Sequence, residues 1–256
     1  MTASIAQVIV IPGPGARAPD REAARALADS LGCAYIPNVR DASDETIWLR
    51  YRPDGLELID PRESRHAMRL EYADIDLRPG GRSLSKRQPL AKALGRDAST
   101  VLDATAGFGR DSVLFAALGY DVIACERVPI VATMLGAAMG DESSAVPSEL
   151  RARIRVMSGD ARNVLPSLAE SPDVVYVDPM FPEKRKTSAL PKKRIRMLRE
   201  LVGDDDDAAQ LLEVAREHVR RVVVKRADDA PELAPRPTVV FKGKTVRYDV
   251  YVQNGG

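Results

Sequence analysis

Two hydrophobic rhythms alternate along this chain, and they predict strands and helices in turn. Short continuous apolar runs read as buried strands, and apolar residues at every third or fourth position read as one face of a helix. In the first eighty residues, Val8–Ile11 is a short strand closed by Pro12-Gly13-Pro14-Gly15. Ala24, Leu27, Ala28 and Leu31 place a helix over Asp20–Leu31, which Gly32 ends. Ile47–Arg52 and Leu56–Asp60, joined by Pro53-Asp54-Gly55, read as a β-hairpin. The breaker cluster Arg78-Pro79-Gly80-Gly81 then divides a small α/β unit, residues 1–80, from residues 81–256, which open on a helical segment at Ser85–Leu94.

Beyond residue 85 the alternation becomes regular. Val101–Ala104, Val122–Glu126, Ile154–Ser158, Val174–Asp178 and Val222–Lys225 are short strands, β-branched in the main. Helical patterns separate them at Asp111–Leu118, Pro129–Met139, Arg162–Leu168 and, after the capping run Asp204–Asp207, at Ala208–Arg220. Such alternation with near-continuous apolar strands predicts a doubly wound, Rossmann-like parallel α/β sheet. Thr238–Phe241 and Arg247–Val252 have only Lys242-Gly243-Lys244 around their junction, so they are expected to pair antiparallel.

Composition narrows the chemistry. Lysine and arginine number 38 against 37 acids, a net charge of +1, which excludes a uniformly basic chromatin-type protein and an acidic tail protein. With 45% hydrophobic residues the chain is not disordered. Two cysteines (Cys33, Cys125) and two histidines (His66, His218) cannot build a structural zinc cluster or a disulfide framework, so no metal is expected. Neither a basic leader nor a run of ~20 apolar residues is present, and the expectation is a soluble cytoplasmic protein with no membrane partner. Cys125 reads as an inert core thiol, Trp48 as core of the small unit, and both histidines as structural.

Three strand ends carry the candidate site. In Val101-Leu-Asp-Ala-Thr-Ala-Gly-Phe-Gly-Arg-Asp111 a strand runs into a Gly-x-Gly turn and then a helix. Gly107 permits the tight turn and Gly109 a close backbone approach to a ligand. The third glycine of a dinucleotide site is replaced by Ser112, which argues against a nicotinamide oxidoreductase. Glu126, seventeen residues past Gly109, can accept from both hydroxyls of an adenosine ribose, and Asp160 of Gly159-Asp160 from an adenine amine. The fourth strand ends in Asp178-Pro179-Met180-Phe181-Pro182. An aryl or amide nitrogen is a poor nucleophile because its lone pair is delocalised; a carboxylate accepting from its NH₂ favours a pyramidal nitrogen aimed at an electrophile. Pro179 stiffens that loop and Phe181 offers a flat face for a base.

Asp103-Ala-Thr-Ala-Gly-Phe-Gly-Arg-Asp111, Glu126-Arg127, Asp178-Pro-Met-Phe-Pro182 and Val222-Val-Val-Lys-Arg226 together resemble the bacterial RsmJ family over roughly residues 85–252. That resemblance implies a class I fold with a late antiparallel hairpin, S-adenosyl-L-methionine as cofactor, and methylation of a guanine exocyclic N2 in 16S rRNA, free or within the small ribosomal subunit. Carried over by position, it places cofactor contacts on Arg110, Asp111, Glu126, Arg127, Gly159, Asp160 and Asp178, beside Asp103, Gly107 and Gly109. Gly159-Asp160 stands where Ser-Ser is expected for the family.

Lys184, Arg185, Lys186, Lys192, Lys193, Arg194, Arg196 and Arg199 follow the Asp178 loop with no acid among them, a candidate phosphate-binding stretch for RNA. A weaker basic stretch, Arg78 to Arg96, is placed to flank the same groove. The remaining alternatives are an adenine-N6 or protein-amide methyltransferase and a non-catalytic RNA-binding assembly factor of the same fold.

Overall fold

The computed structural model describes residues 7–78, 84–85, 87–180, 193–203 and 207–253. The first unit holds β1 (Val8–Pro12), α1 (Ala18–Leu31), β2 (Ala34–Tyr35), β3 (Ile47–Arg52), β4 (Gly55–Asp60) and β5 (Ser64–Met68), with sheet order β2-β1-β3-β4-β5. The expected hairpin forms: Trp48 faces Ile59 and Tyr51 faces Leu56 across β3 and β4, and Gly55 turns the chain at φ +135°. β1 adds to β3 in parallel, Ile9 against Trp48, so Trp48 is buried as expected. β2 and β5 carry no apolar alternation, which is why the sequence pattern does not announce them.

The second unit runs α2 (Pro89–Leu94), β6 (Thr100–Asp103), α3 (Arg110–Ala117), β7 (Asp121–Glu126), α4 (Pro129–Gly140), α5 (Ser148–Arg151), β8 (Ile154–Ser158), α6 (Ala161–Ser167), β9 (Val174–Val177), α7 (Lys193–Val202), α8 (Ala208–His218), β10 (Arg221–Ala227), β11 (Val239–Lys242) and β12 (Val246–Val252). Its sheet order is β11-β12-β10-β9-β6-β7-β8. Strands β8, β7, β6, β9 and β10 are parallel, and β12 enters antiparallel between β10 and β11, Val223 opposite Val250. β9 is flanked on both edges, and all four of its residues are buried, which explains its unbroken Val-Val-Tyr-Val run. The helix expected from Ser85 starts at Pro89 instead: proline suits the first helical position and forces Gln88 into extended backbone (ψ 145°).

One apolar cluster joins the two units. Val8, Val10, Leu49 and Leu58 of the first sheet pack with Val131 and Met134 of α4, Phe108 of the Gly-x-Gly turn, and Met197 and Leu201 of α7. Polar contacts flank this seam, with Arg196 on Glu63 at 2.9 Å and Arg62 paired to Glu200. The connecting segment is pinned as well, because the buried Tyr72 hydroxyl donates to the Phe108 carbonyl at 2.9 Å. Among the described residues no helix is long and apolar enough to cross a membrane, and no group of metal-ligating side chains gathers.

Candidate active site

The strand order reverses at β6: the chain proceeds to β7 and β8 on one side, then crosses to β9 and β10 on the other. The crevice at the carboxyl ends of β6 and β9 is therefore the place where such a sheet takes a ligand. Asp103 and Asp178 stand at or just past those ends, and Glu126 and Gly159-Asp160 at or just past the same ends of the neighbouring β7 and β8. Gly107 and Gly109 both take positive φ, +52° and +71°, and a Cβ on Gly109 would meet Leu135 Cδ1 at 2.4 Å. Glycine at 109 thus lets the turn lie flat against α4.

Glu126 is buried and fixed by the loops on either side of it. The Gly107 amide donates to Oε2 at 2.8 Å and the Val128 amide to Oε1 at 2.7 Å. Each carboxylate oxygen has a second lone pair, so the group is oriented without losing its capacity to accept from ribose hydroxyls. Its neighbour Arg127 turns the other way, to Asp207 at 3.0 Å.

Asp103 lies at the crevice floor, 1% exposed. Ser112 donates to Oδ2 at 2.5 Å, while Oδ1 is buried and accepts no hydrogen bond. Burial pushes this carboxyl up to about 7; the serine bond opposes the rise, and the charges of Asp111 and Asp178 add to it. An orphaned buried acceptor beside two glycines fits a ligand that brings an ammonium group. Ser112, which took the place of a third glycine in the sequence pattern, holds the other oxygen.

Across the crevice a lysine that the motif reading left without a role joins two of the predicted residues. Lys225 Nζ donates to Asp111 Oδ2 at 2.8 Å and to Asp178 Oδ2 at 2.9 Å. Burial works against its ammonium, yet the two carboxylates outweigh burial and hold its pKa above the usual lysine value. Tyr176 donates to the same Asp111 oxygen at 2.6 Å; burial, then Asp111, keeps its phenol protonated. The Asp178 amide donates to the Thr105 hydroxyl at 2.8 Å, tying the ends of β9 and β6 together. The available signal was a lysine ending the Val222-Val-Val run of an otherwise apolar strand.

Other predicted residues are engaged elsewhere. Arg110 donates to Asp74 at 2.7 Å, so its guanidinium holds the connecting segment onto the start of α3. Asp160 caps α6 and grips Arg162, whose hydrogen bond lowers its pKa; Arg162 also meets Asp207 at 2.7 Å. Gly159 donates its amide to the Glu126 carbonyl at 2.9 Å. Pro179 is buried behind Asp178. Cys125 is fully buried, and burial lifts its thiol to about 12, in keeping with an inert core residue. Phe181, Lys184, Arg185, Lys186 and Lys192 lie outside the described residues, as do the side chains of Lys193 and Arg194, whose backbone opens α7.

The chain is similar to known methyltransferases. The SAM_MT model, which describes SAM-dependent methyltransferases, matches residues 36–253. A protein of Chromohalobacter salexigens named ribosomal RNA small subunit methyltransferase J is 41% identical over 250 residues, covering 90% of this chain and 94% of that protein. The protein of the same name from Thioalkalivibrio sulfidiphilus is 46% identical over 177 residues, 65% of this chain and 68% of its own. The crystal structure of a SAM-dependent methyltransferase from Neisseria gonorrhoeae superposes with a TM-score of 0.69 at 28% identity, covering 96% of this chain and 97% of that one.

Proposed function

Since this chain belongs to the SAM-dependent methyltransferase family that includes ribosomal RNA small subunit methyltransferase J, we propose that it methylates the exocyclic N2 of a guanine in 16S rRNA. The observation that carries the reading is Asp178, an oriented and partly exposed carboxylate at the open end of a crevice whose floor holds Asp103 and Glu126.

When bound, S-adenosyl-L-methionine supplies a methyl group on a sulfonium whose sulfur keeps the bonding pair as the C–S bond breaks. Asp103 would hold its ammonium and Glu126 its ribose hydroxyls. Asp178 accepts a hydrogen bond from the guanine amine and so directs the nitrogen lone pair at the methyl carbon; the amine proton leaves to solvent after the N–C bond forms. The residues contribute mainly by positioning, a source of large rate enhancement when the reacting atoms are held in line. The target base must leave its stack, and Phe181 is the side chain we assign to stack on it. Lys184 to Arg194 supply cations for the phosphate backbone. With rRNA as substrate and two free thiols, the reaction belongs in the cytoplasm.

A tritiated-methyl assay with unmodified 16S rRNA and with small subunits, followed by nucleoside analysis, tests this. Label in N2-methylguanosine is expected, and Asp178→Ala is expected to abolish it while a thermal melt shows the protein still folded. Label in N6-methyladenosine, or none in any rRNA form, overturns the reading.

A further inference from the structure

Lys225 offers three N–H donors, and the structure accounts for two of them, at Asp111 and Asp178. Among the described residues the third has no acceptor, and the lysine side chain is 23% exposed, on the same crevice as the 40% exposed Asp178. A cation and a carboxylate thus stand side by side, Nζ and Oδ2 2.9 Å apart, at the acceptor end of the site.

The exposed edge of guanine carries an acceptor and two donors in a row: O6, N1–H and N2–H. Adenine presents a donor and then an acceptor at the corresponding first two positions. A carboxylate has about four lone-pair sites, so Asp178 keeps acceptor capacity while bound to Lys225. Placed against the pair, guanine sets N1–H and N2–H on the carboxylate and O6 beside the ammonium. Adenine sets its amine against the ammonium and its ring nitrogen against the carboxylate, two repulsions in place of two bonds.

We propose that Lys225 is a specificity residue that reads guanine O6, forming with Asp178 one recognition edge for the target base. This rests on the guanine-N2 reading and extends it from the reacting atom to the identity of the base. A second consequence follows: because the same ammonium holds Asp111 at the start of α3, the base-reading and cofactor sides of the crevice are set in register by one side chain.

The test uses rRNA in the form that wild-type enzyme methylates, with the mapped guanosine replaced by 2-aminopurine, which keeps the N2 amine but lacks O6 and N1–H. Wild-type enzyme is expected to prefer guanosine by about 100-fold or more in kcat/KM, as for a site whose buried polar groups lose their partners. Lys225→Met is expected to lower both rates, since Asp178 and Asp111 lose a partner, but the guanosine rate by at least about tenfold more than the 2-aminopurine rate, so that the preference collapses. Calorimetry with cofactor and a thermal melt establish that the variant is folded. Equal losses on both bases assign Lys225 a merely structural role and overturn the proposal. Equal use of both bases by wild-type enzyme overturns it without any variant. Failure of the parent reading looks different: wild-type enzyme then places no methyl group on any guanosine.

Discussion

At Asp103, stability and ligand binding pull in opposite directions, and Asp103→Asn separates them. The carboxyl sits at about 7 in the folded protein against 3.8 ordinarily. Between those values the folded state keeps a proton that the unfolded state has released, so the group's contribution to stability falls as pH rises from about 4 to about 7 and stays low above that. Some three units at ~1.4 kcal/mol each amount to about 4 kcal/mol of destabilisation at pH 8. Asparagine cannot ionise and retains an oxygen for Ser112, but its NH₂ falls where Oδ1 has no partner. An unpaired buried donor costs about 1–3 kcal/mol. The net gain at pH 8 is then about 1–3 kcal/mol, or roughly 2–6 °C in Tm for a chain of this size. At pH 5 most of the wild-type penalty is gone, and the difference should be close to zero. Thermal melts by circular dichroism at the two pH values measure this, and calorimetry should show cofactor affinity falling at least tenfold in the variant. A lower Tm at pH 8, or the same Tm difference at both pH values, would refute the account of Asp103 as a charge held ready for a cation.

Two further substitutions probe the scaffold. Gly109→Ala forces a side chain into φ +71° and onto Leu135; a loss of about 2–4 kcal/mol is expected in urea unfolding, with cofactor binding impaired even where the protein remains folded. Asp173 accepts from the amides and hydroxyls of Ser99 and Thr100 at 2.7–3.0 Å, and the Ser99 amide bond leads in lowering its pKa. Its support is present above pH 4 and fades as pH falls through its folded value, so Asp173→Ala should cost about 1 kcal/mol at pH 7, discounted for exposure, and progressively less as pH is lowered below 4, as chemical denaturation across that range would show.

The second sheet was legible because its parallel strands, buried on both faces, must be apolar throughout, and β9 is the clearest instance. The Gly-x-Gly turn and the acidic strand ends were legible for a related reason: positive φ and exposed strand termini admit few residue types. Lys225 was not, since a lysine in a strand says nothing of its partners until Asp111 and Asp178, 114 and 47 positions away, are folded against it. Nor was α7. Its eight-cation neighbourhood suggested a phosphate-binding stretch and gave no sign of packing, whereas Met197 and Leu201 turn inward and Arg196 is tied to Glu63. Arg110 and Asp160 begin and cap helices as their motifs implied, but their carboxylate and guanidinium partners Asp74 and Arg162 belong to this chain itself.

The apolar seam between the two sheets also governs how the protein can be taken apart. A fragment beginning at residue 81 would turn Val131, Met134, Met197 and Leu201 out to water, and copies of such a fragment would find one another through that face. It would also lose Glu63 from beneath Arg196, at the very helix that follows the segment between Asp178 and Lys193. Dissection would therefore yield aggregates in place of a minimal enzyme, and inheritance faces the same restriction. The first sheet cannot be exchanged for another module unless α4 and α7 are repacked with it, so the two units are bound to change together.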